Sequence, residues 1–324
     1  MGTVSSAQTS FTDTGLIPFT YYYYKVSAFD SAGPGVPNFV SAETGGVKPS
    51  VAPAGLVQSG ATTTSITLKW DPVDGATGYN VYFSSTAAGT YSHRTTSTTI
   101  SATIYQSGTP QAAYYKVSAS NPSGEGPQSD YIQATNAPAT VILNMVGAGS
   151  DTHMVISWQA VAGADGYYIY RDTSPGGSFT NRVADCPGQA THVYSDHGLQ
   201  QYTLYYYKVS AYTIGIEGGK SSIGTDRTLL SVPNNFKAVE PTSPTRVRLE
   251  WEAVPNAYYY RIYRNTITTR TGAVTFDTSI DATSFNDTSA TIGTTYYYWI
   301  QAIPIAPAYA SLLENSPMVT AVAK

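Results

Sequence analysis

A chain of 324 residues with 17 basic against 21 acidic side chains and no block of like charge lacks the concentrated cationic face that nucleic acid or an anionic membrane requires. Its single cysteine, Cys186, excludes an intrachain disulfide and a four-cysteine zinc site, so stability has to come from apolar cores. Only 12% of residues are charged while tyrosine alone numbers 28, a composition typical of secreted β proteins, and no apolar run approaches the ~18 residues of a spanning helix.

The first elements fall in residues 1–45. A short strand through "SFTDTG", the tyrosine run of "PFTYYYYKVSAFD" and a closing strand make up only the last three strands of a domain. Such a piece buries too little apolar surface to fold alone, and its open edges invite pairing. Two readings follow: a segment of a longer array resting on its neighbour, or completion by strands of another chain. No signal peptide is visible in "MGTVSSAQTSFTDTG", which has neither a basic start nor an apolar h-region. An exported protein would carry its signal outside this chain.

After the Pro-rich joint "GGVKPSVAPAG", residues 46–136 open on "SITLKWDPV", where Ile66, Leu68 and Trp70 alternate onto one face. That is a strand with one buried side. "GYNVYFS" follows with Tyr79 and Val81 inward, then "AAYYKVSASNPSGEG" and a last strand. Residues 137–229 repeat the order with Met154, Ile156 and Trp158, then "GYYIYRD" with Tyr167 and Ile169, then "TLYYYKVSAYTIGIEG". Residues 230–324 repeat it again with Val247, Leu249 and Trp251, then "YYRIYRN" with Tyr260 and Ile262, then "TTYYYWIQAIPIAP". About seven short strands in some 90 residues predict an all-β antiparallel two-sheet sandwich.

The alanine after each tyrosine run stands at 28, 119, 211 and 302, separations of 91, 92 and 91 residues. A period that long means tandem domains, because solenoid repeats span roughly 20–50 residues. With Trp on the second strand, Tyr-x-Val/Ile after it and Tyr-x-Tyr-x-Val-x-Ala on the sixth, the three complete repeats resemble fibronectin type III domains. They are most similar to the bacterial kind found between modules of secreted polysaccharide-degrading enzymes and in surface proteins. The resemblance implies immunoglobulin-like sandwiches with a tyrosine corner at Tyr22, Tyr205 and Tyr296. In residues 46–136 that position is Ala113, and the repeated aspartate (Asp13, Asp196, Asp287) is also missing. A rebuilt corner is expected there, with extra length in "TIYQSGTPQ".

The resemblance also implies an extracellular, non-catalytic module with flanking modules as partners and no cofactor. Its outward face should present Tyr82 beside Tyr114 and Lys116, then Tyr168 and Tyr170 beside Tyr206 and Lys208, then Arg261 and Tyr263 beside Tyr297 and Trp299. Cross-strand aromatic pairs and cations over rings explain such a pattern without a ligand. Stacking on polysaccharide and contact with a protein partner are the functional readings. Asp13, Asp196 and Asp287 read as acceptors that tie turn amides rather than as a calcium cage, which needs clustered carboxylates. His192 and His197, five apart on a strand, face opposite sides. No nucleophile elbow, phosphate loop, dinucleotide fingerprint or zinc helix is present, and Cys186 has no obvious base beside it. Asn286 heads the one glycosylation sequon.

Overall fold

The computed structural model describes every residue except 1, 107–108, 241–245, 280 and 313–315. Period-two alternation punctuated by Gly and Pro yields antiparallel strands throughout, and the one helical element among the described residues is a 3-10 turn at Pro307–Tyr309. No helix is long and apolar enough to cross a membrane. The chain divides into two compact units, Met1–Ala137 and Pro138–Lys324.

In the first unit, β1 (Tyr21–Val26), β2 (Phe29–Asp30), β3 (Gly33–Pro34) and β4 (Asn38–Glu43) make two small hairpins: β1 pairs with β4 and β2 with β3. The strand expected through "SFTDTG" does not form. Its counterparts farther along the chain lie on a Trp strand, and residues 1–45 contain none to pair with it.

Next come β5 (Val57–Thr62), β6 (Ser65–Lys69), β7 (Gly78–Ser84), β8 (Ser92–Ser97), β9 (Ser101–Tyr105), β10 (Ala113–Asn121), β11 (Gly124–Gln128) and β12 (Ile132–Ala134). They form one sheet in the order β5-β6-β9 and a second in the order β11-β10-β7-β8, with β12 also on β10.

The second unit holds two more sandwiches. The first comprises β13 (Leu143–Ala148), β14 (His153–Trp158), β15 (Gly166–Asp172), β16 (Arg182–Pro187), β17 (Val193–His197), β18 (Leu204–Thr213), β19 (Ile216–Glu217) and β20 (Gly224–Arg227). Its sheets run β13-β14-β17 and β16-β15-β18-β19, with β20 on β18. The second comprises β21 (Lys237–Val239), β22 (Val247–Glu250), β23 (Tyr259–Asn265), β24 (Val274–Asp277), β25 (Ser284–Asp287), β26 (Thr295–Ile303) and β27 (Val319–Val322). Its sheets run β21-β22-β25 and β24-β23-β26-β27. All three sandwiches share one strand order, in which the Trp strand and the Tyr-x-Val/Ile strand sit in opposite sheets. Within this unit the two sandwiches also touch: the Leu230 N–H donates to the Tyr309 carbonyl at 3.0 Å, and the Tyr202 and Tyr309 rings meet edge to face.

Each sandwich has its own core. Trp70, Trp158 and Trp251 lie between the sheets against Tyr79, Tyr167 and Tyr260, with ring centroids 5.4, 5.3 and 5.1 Å apart. A buried phenol must also satisfy its hydroxyl. Tyr79, Tyr167 and Tyr260 do so by accepting from the backbone N–H of Val73, Val161 and Val254 in the turn just before their strand. One ring thereby packs the core and pins the turn that leads into it.

The tyrosine corner forms where Tyr22, Tyr205 and Tyr296 accept from the backbone N–H of Ile17, Gln200 and Thr291, each five residues upstream. That turn needs a left-handed residue three positions before the tyrosine, and Phe19 (φ 51°), Tyr202 (φ 48°) and Gly293 (φ 78°) supply it. In the first sandwich Ala113 leaves no corner. There the Gln106 amide bonds the Tyr115 hydroxyl instead; Ser107 and Gly108 of the expected insertion lie outside the described residues.

The repeated aspartates do more than tie turns. The Tyr207 and Tyr298 hydroxyls donate to Asp196 and Asp287 at 2.8 Å, and Arg171 and Arg264 reach the same carboxylates at 2.8 and 2.6 Å. The expectation of a turn amide holds for Asp287, which accepts from Ser289 N–H. Both carboxylates chiefly join the two sheets. Burial alone would raise the Asp287 carboxyl pKa, but hydrogen bonds from Arg264, Tyr298 and Ser289 together outweigh it and hold it below the usual carboxylate range. Because the folded value lies under the unfolded one of about 3.9, the tie contributes stability above that pH and loses it as pH falls through the folded value.

Two outcomes are expected from urea unfolding of the whole chain. Trp158→Ala should destabilise its sandwich by about 3–5 kcal/mol, near the whole stability of a small domain; a loss under about 1 kcal/mol would contradict the packing described. Asp287→Asn should cost about 3 kcal/mol near neutral pH and progressively less in acid, whereas a penalty that does not change with pH would show that the carboxylate charge is not what matters.

Candidate site on the outward aromatic face

The outward residues of the larger sheets were the candidate ligand face, and the second sandwich displays their chemistry most fully. Tyr168 stacks on Tyr212 with centroids 4.3 Å apart and planes 21° from parallel, while the Arg182 guanidinium lies 4.4 Å over the Tyr168 ring. Two partners that close to one ring must occupy opposite faces, so neither face of Tyr168 is bare. The Tyr212 hydroxyl donates to Asp185 at 2.9 Å, and burial followed by that carboxylate pushes its pKa up to about 12.

Tyr170 departs from expectation. It is 6% exposed rather than open to solvent. The Lys220 ammonium sits 3.8 Å over its ring and donates to the Phe179 carbonyl at 3.0 Å, so the loop after β15 closes over this part of the sheet. Its hydroxyl donates to Glu217 at 2.9 Å, as does Ser210 at 2.6 Å. Burial, then the Glu217 carboxylate, raises the Tyr170 pKa to about 12. Tyr206 is half-buried opposite Asp172 and Thr225, and Lys208 lies 4.9 Å over the Phe179 ring.

The first sandwich repeats the scheme. Tyr82 stands opposite Lys116, and its hydroxyl and that of Ser118 both donate to Glu125. Tyr82 meets His93 edge on at 5.8 Å, Tyr114 meets Tyr131 edge on at 5.5 Å, and Lys116 covers Tyr91. In the third sandwich Tyr263 stands opposite Trp299, and its hydroxyl donates to the Gln301 side-chain oxygen at 3.0 Å. Gln301 occupies the position of Ser118 and Ser210 and supplies the acceptor itself, while its own amide donates to the Ser311 carbonyl. Trp299 also departs from expectation, at 4% exposed. Tyr297 is half-buried opposite Asn265 and Thr320.

Strand parity puts these aromatics on the outer side of their sheets but does not show what holds them. Glu125 and Glu217, in the "GEG" and "GIEG" turns, are the acceptors, and Phe179, Lys220 and Arg182 are the covers. The recurrence of an acid seven residues after Ser118 and Ser210 was a readable signal for the first pair. The covers come from loops, and no periodicity announced them.

Elsewhere reactive groups are scattered. Among the described residues no three His, Cys, Asp or Glu side chains gather into a metal-binding group. Burial, with Asp185 adding to it, raises the Cys186 thiol pKa, which leaves it inert. His192 bonds the Gln189 carbonyl, while His197 stands across the sheet from His153; the two histidines singled out in "THVYSDHG" do not converge.

Comparison with known proteins bears on this arrangement. No family model matches the chain. It is 31% identical over 227 residues to Exoglucanase B of Cellulomonas fimi, covering 64% of this chain and 20% of that protein. It is 25% identical over 285 residues to the putative receptor-type tyrosine-protein phosphatase mosPTP-1 of Aedes aegypti, covering 78% of this chain and 21% of that protein. The chain thus spans about a fifth of the length of these relatives. Among solved structures, the chicken CNTN1 FN1-FN3 domains align with 85% of this chain and 99% of theirs, at 17% identity and a TM-score of 0.32. Three sandwiches of one strand order, their Trp and Tyr-x-Val/Ile strands, their tyrosine corners and the relation to the exoglucanase together make this chain a tandem array of fibronectin type III domains.

Proposed function

We propose that the chain is a non-catalytic, extracellular array serving as a spacer and interaction module within a longer secreted or surface protein, with a half-domain over residues 1–45 and domains over 46–136, 137–229 and 230–324. One observation carries this reading: the outward tyrosines are consumed within the sheet. Tyr168 has a ring or a guanidinium on each face, Tyr170 lies under Lys220, and the hydroxyls of Tyr212 and Tyr170 end on Asp185 and Glu217. A sugar stacks on a bare ring, and here Tyr168 and Tyr170 would first have to be uncovered.

The spacer role is supported by the junction inside the second unit. The Ser231 hydroxyl donates to Asp151 and its N–H to Gln201, both at 2.8 Å, beside the Tyr202–Tyr309 contact. Flanking modules as partners are supported by the small share of each relative that the chain spans. The relation to an exoglucanase favours a parent that acts on polysaccharide, and the receptor-type phosphatase favours the outside of a cell.

Partition onto insoluble cellulose tests the reading. The chain should stay in the supernatant, and the combined Tyr168→Ser, Tyr170→Ser and Tyr206→Ser variant should melt about 5 °C or more lower with no change in partition. Retention of the unaltered chain that the triple variant loses would replace the spacer with a glycan-binding surface.

A further inference from the structure

The sheet β13-β14-β17 turns one face to the core through Val146, Met154, Ile156 and Tyr194. Its other face is a short ladder without a charged side chain among its rungs. Met145, Ser157 and Val193 lie abreast, then Gly147, Val155 and Ser195, and His153 beside His197 ends it. The Trp158 N–H donates to the His192 carbonyl, so residues 158 and 192 form a hydrogen-bonded pair. Pairs alternate in kind along an antiparallel ladder, and His153 with His197, an odd number of steps away, is therefore a non-hydrogen-bonded pair, the kind that brings side chains closest. Their ring centroids stand 5.0 Å apart, with planes 32° from parallel.

The two rings are held differently. His153 Nδ1 lies 2.7 Å from Ser150 Oγ, which also accepts from the Thr152 N–H. The ring rests over Gly149, where a side-chain Cβ would stand 2.0 Å from Nε2, so glycine at that position is what makes room for it. His197 is exposed, and among the described residues no hydrogen bond reaches either of its ring nitrogens. Two carboxylates at this end of the sandwich are engaged elsewhere. Asp151 accepts from the Ser231 hydroxyl, and Asp226 accepts from the Ala148 N–H.

A metal–nitrogen bond of about 2.0–2.1 Å, with about 1.1 Å more from nitrogen to ring centre, puts the centroids of two imidazoles about 5 Å apart around a tetrahedral ion. The strands already hold these rings at that distance. We propose that His153 and His197 together bind one divalent transition ion of the zinc, nickel or copper class, the ions that imidazole suits. With the Nδ1 proton of His153 given to Ser150, Nε2 is its ligating nitrogen; a partner on the far nitrogen commonly fixes the tautomer of a metal-bound histidine. His197, which no hydrogen bond holds, turns its ring to the same ion. Water fills the remaining positions, because among the described residues no third His, Cys, Asp or Glu side chain joins the pair. The ion ties β14 to β17 beside the turn whose Ser150 carbonyl accepts from the Leu229 N–H, and so braces the end of the second sandwich where the chain leaves for the third. This goes beyond the spacer reading, which does not need it.

The untagged chain is titrated calorimetrically with zinc, nickel and copper(II) salts, and with a calcium salt as the hard cation that imidazole does not suit. One transition ion per chain should bind, and calcium should not. His153→Ala and His197→Ala should each weaken binding at least about tenfold, while His93→Ala and His192→Ala, which alter histidines outside the pair, leave it unchanged. Saturating zinc should raise a melting transition of the intact chain by about 2 °C or more and leave His197→Ala where it was. Without metal the variants should melt with the unaltered chain, which shows that they fold. The proposal is overturned if no transition ion binds, if either His153→Ala or His197→Ala binds as tightly as before, or if His192→Ala loses as much as they do. One ion per two chains, with a dimer in sedimentation, would also overturn it, by making the pair half of a bridge between copies.

Discussion

A tyrosine buried between two sheets is an apolar disc with one polar atom that has to be matched inside the protein, and that requirement organises most of this chain. Burying the ring is favourable by a few kcal/mol, but leaving the hydroxyl unpaired would give back about 1–3 kcal/mol of it. Each core tyrosine therefore finds a fixed partner. Tyr79, Tyr167 and Tyr260 accept from the amide of the preceding turn, Tyr205 and Tyr296 accept from the amide five residues upstream, and Tyr207 and Tyr298 donate a hydrogen bond to an aspartate in the opposite sheet. The hydroxyls thus define turn entries, corner geometry and sheet-to-sheet alignment, none of which the hydrophobic effect can specify by itself because it has no direction.

Within one chain the same site is solved in two ways. In the second and third sandwiches a buried carboxylate is held by an arginine and a phenol; in the first, Ile104 and Phe83 fill those register positions, and Phe83 packs 5.7 Å from the Tyr115 ring. The two members change together. A lone carboxylate facing Phe83 would be an uncompensated buried charge, and a lone arginine facing Ile104 would be another, either costing several kcal/mol. Exchange of the whole pair is tolerated because a buried ion pair repays little more than its own desolvation. Gln106, reaching Tyr115 from just beyond β9, supplies the one polar contact that the apolar version still needs.

This explains how far the fold was legible in the residues. Alternation at Ile66, Leu68 and Trp70 and its two repeats identifies strands because side-chain direction has a period of two, and the tyrosine corner is legible because its partner is only five residues away. What sequence alone misplaced depends on distance. The role of Asp196 and Asp287 was read along the turn, whereas their strongest partners arrive from the other sheet. Strand parity puts Tyr170 and Trp299 on the outer side of their sheets and so suggests solvent, but parity says only which side of a sheet a residue takes, and both are buried. Phe179 and Lys220 decide the exposure of Tyr170, and they come from loops whose path no local pattern encodes. "SFTDTG" failed for the related reason that a strand is defined by its partner, and its own propensity could not supply one.

The outer face obeys the same chemistry with the surroundings reversed. With 12% of residues charged, these sheets have few charges to spend on salt-bridge ladders, and the cations they do have lie over rings: Arg182 on Tyr168, Lys220 on Tyr170, Lys116 on Tyr91. Each such contact is worth about 0.5–1 kcal/mol when exposed and more when desolvated, comparable with a cross-strand aromatic pair. A ligand stacking on Tyr168 would have to displace either Arg182 or Tyr212, so its net gain would be the difference between two similar quantities. An aromatic surface invites binding only where its rings lack protein partners. Among the described residues that condition is approached at Tyr21, Tyr23 and Tyr105, which are the most exposed tyrosines, and not on the covered faces around Tyr168 and Tyr170.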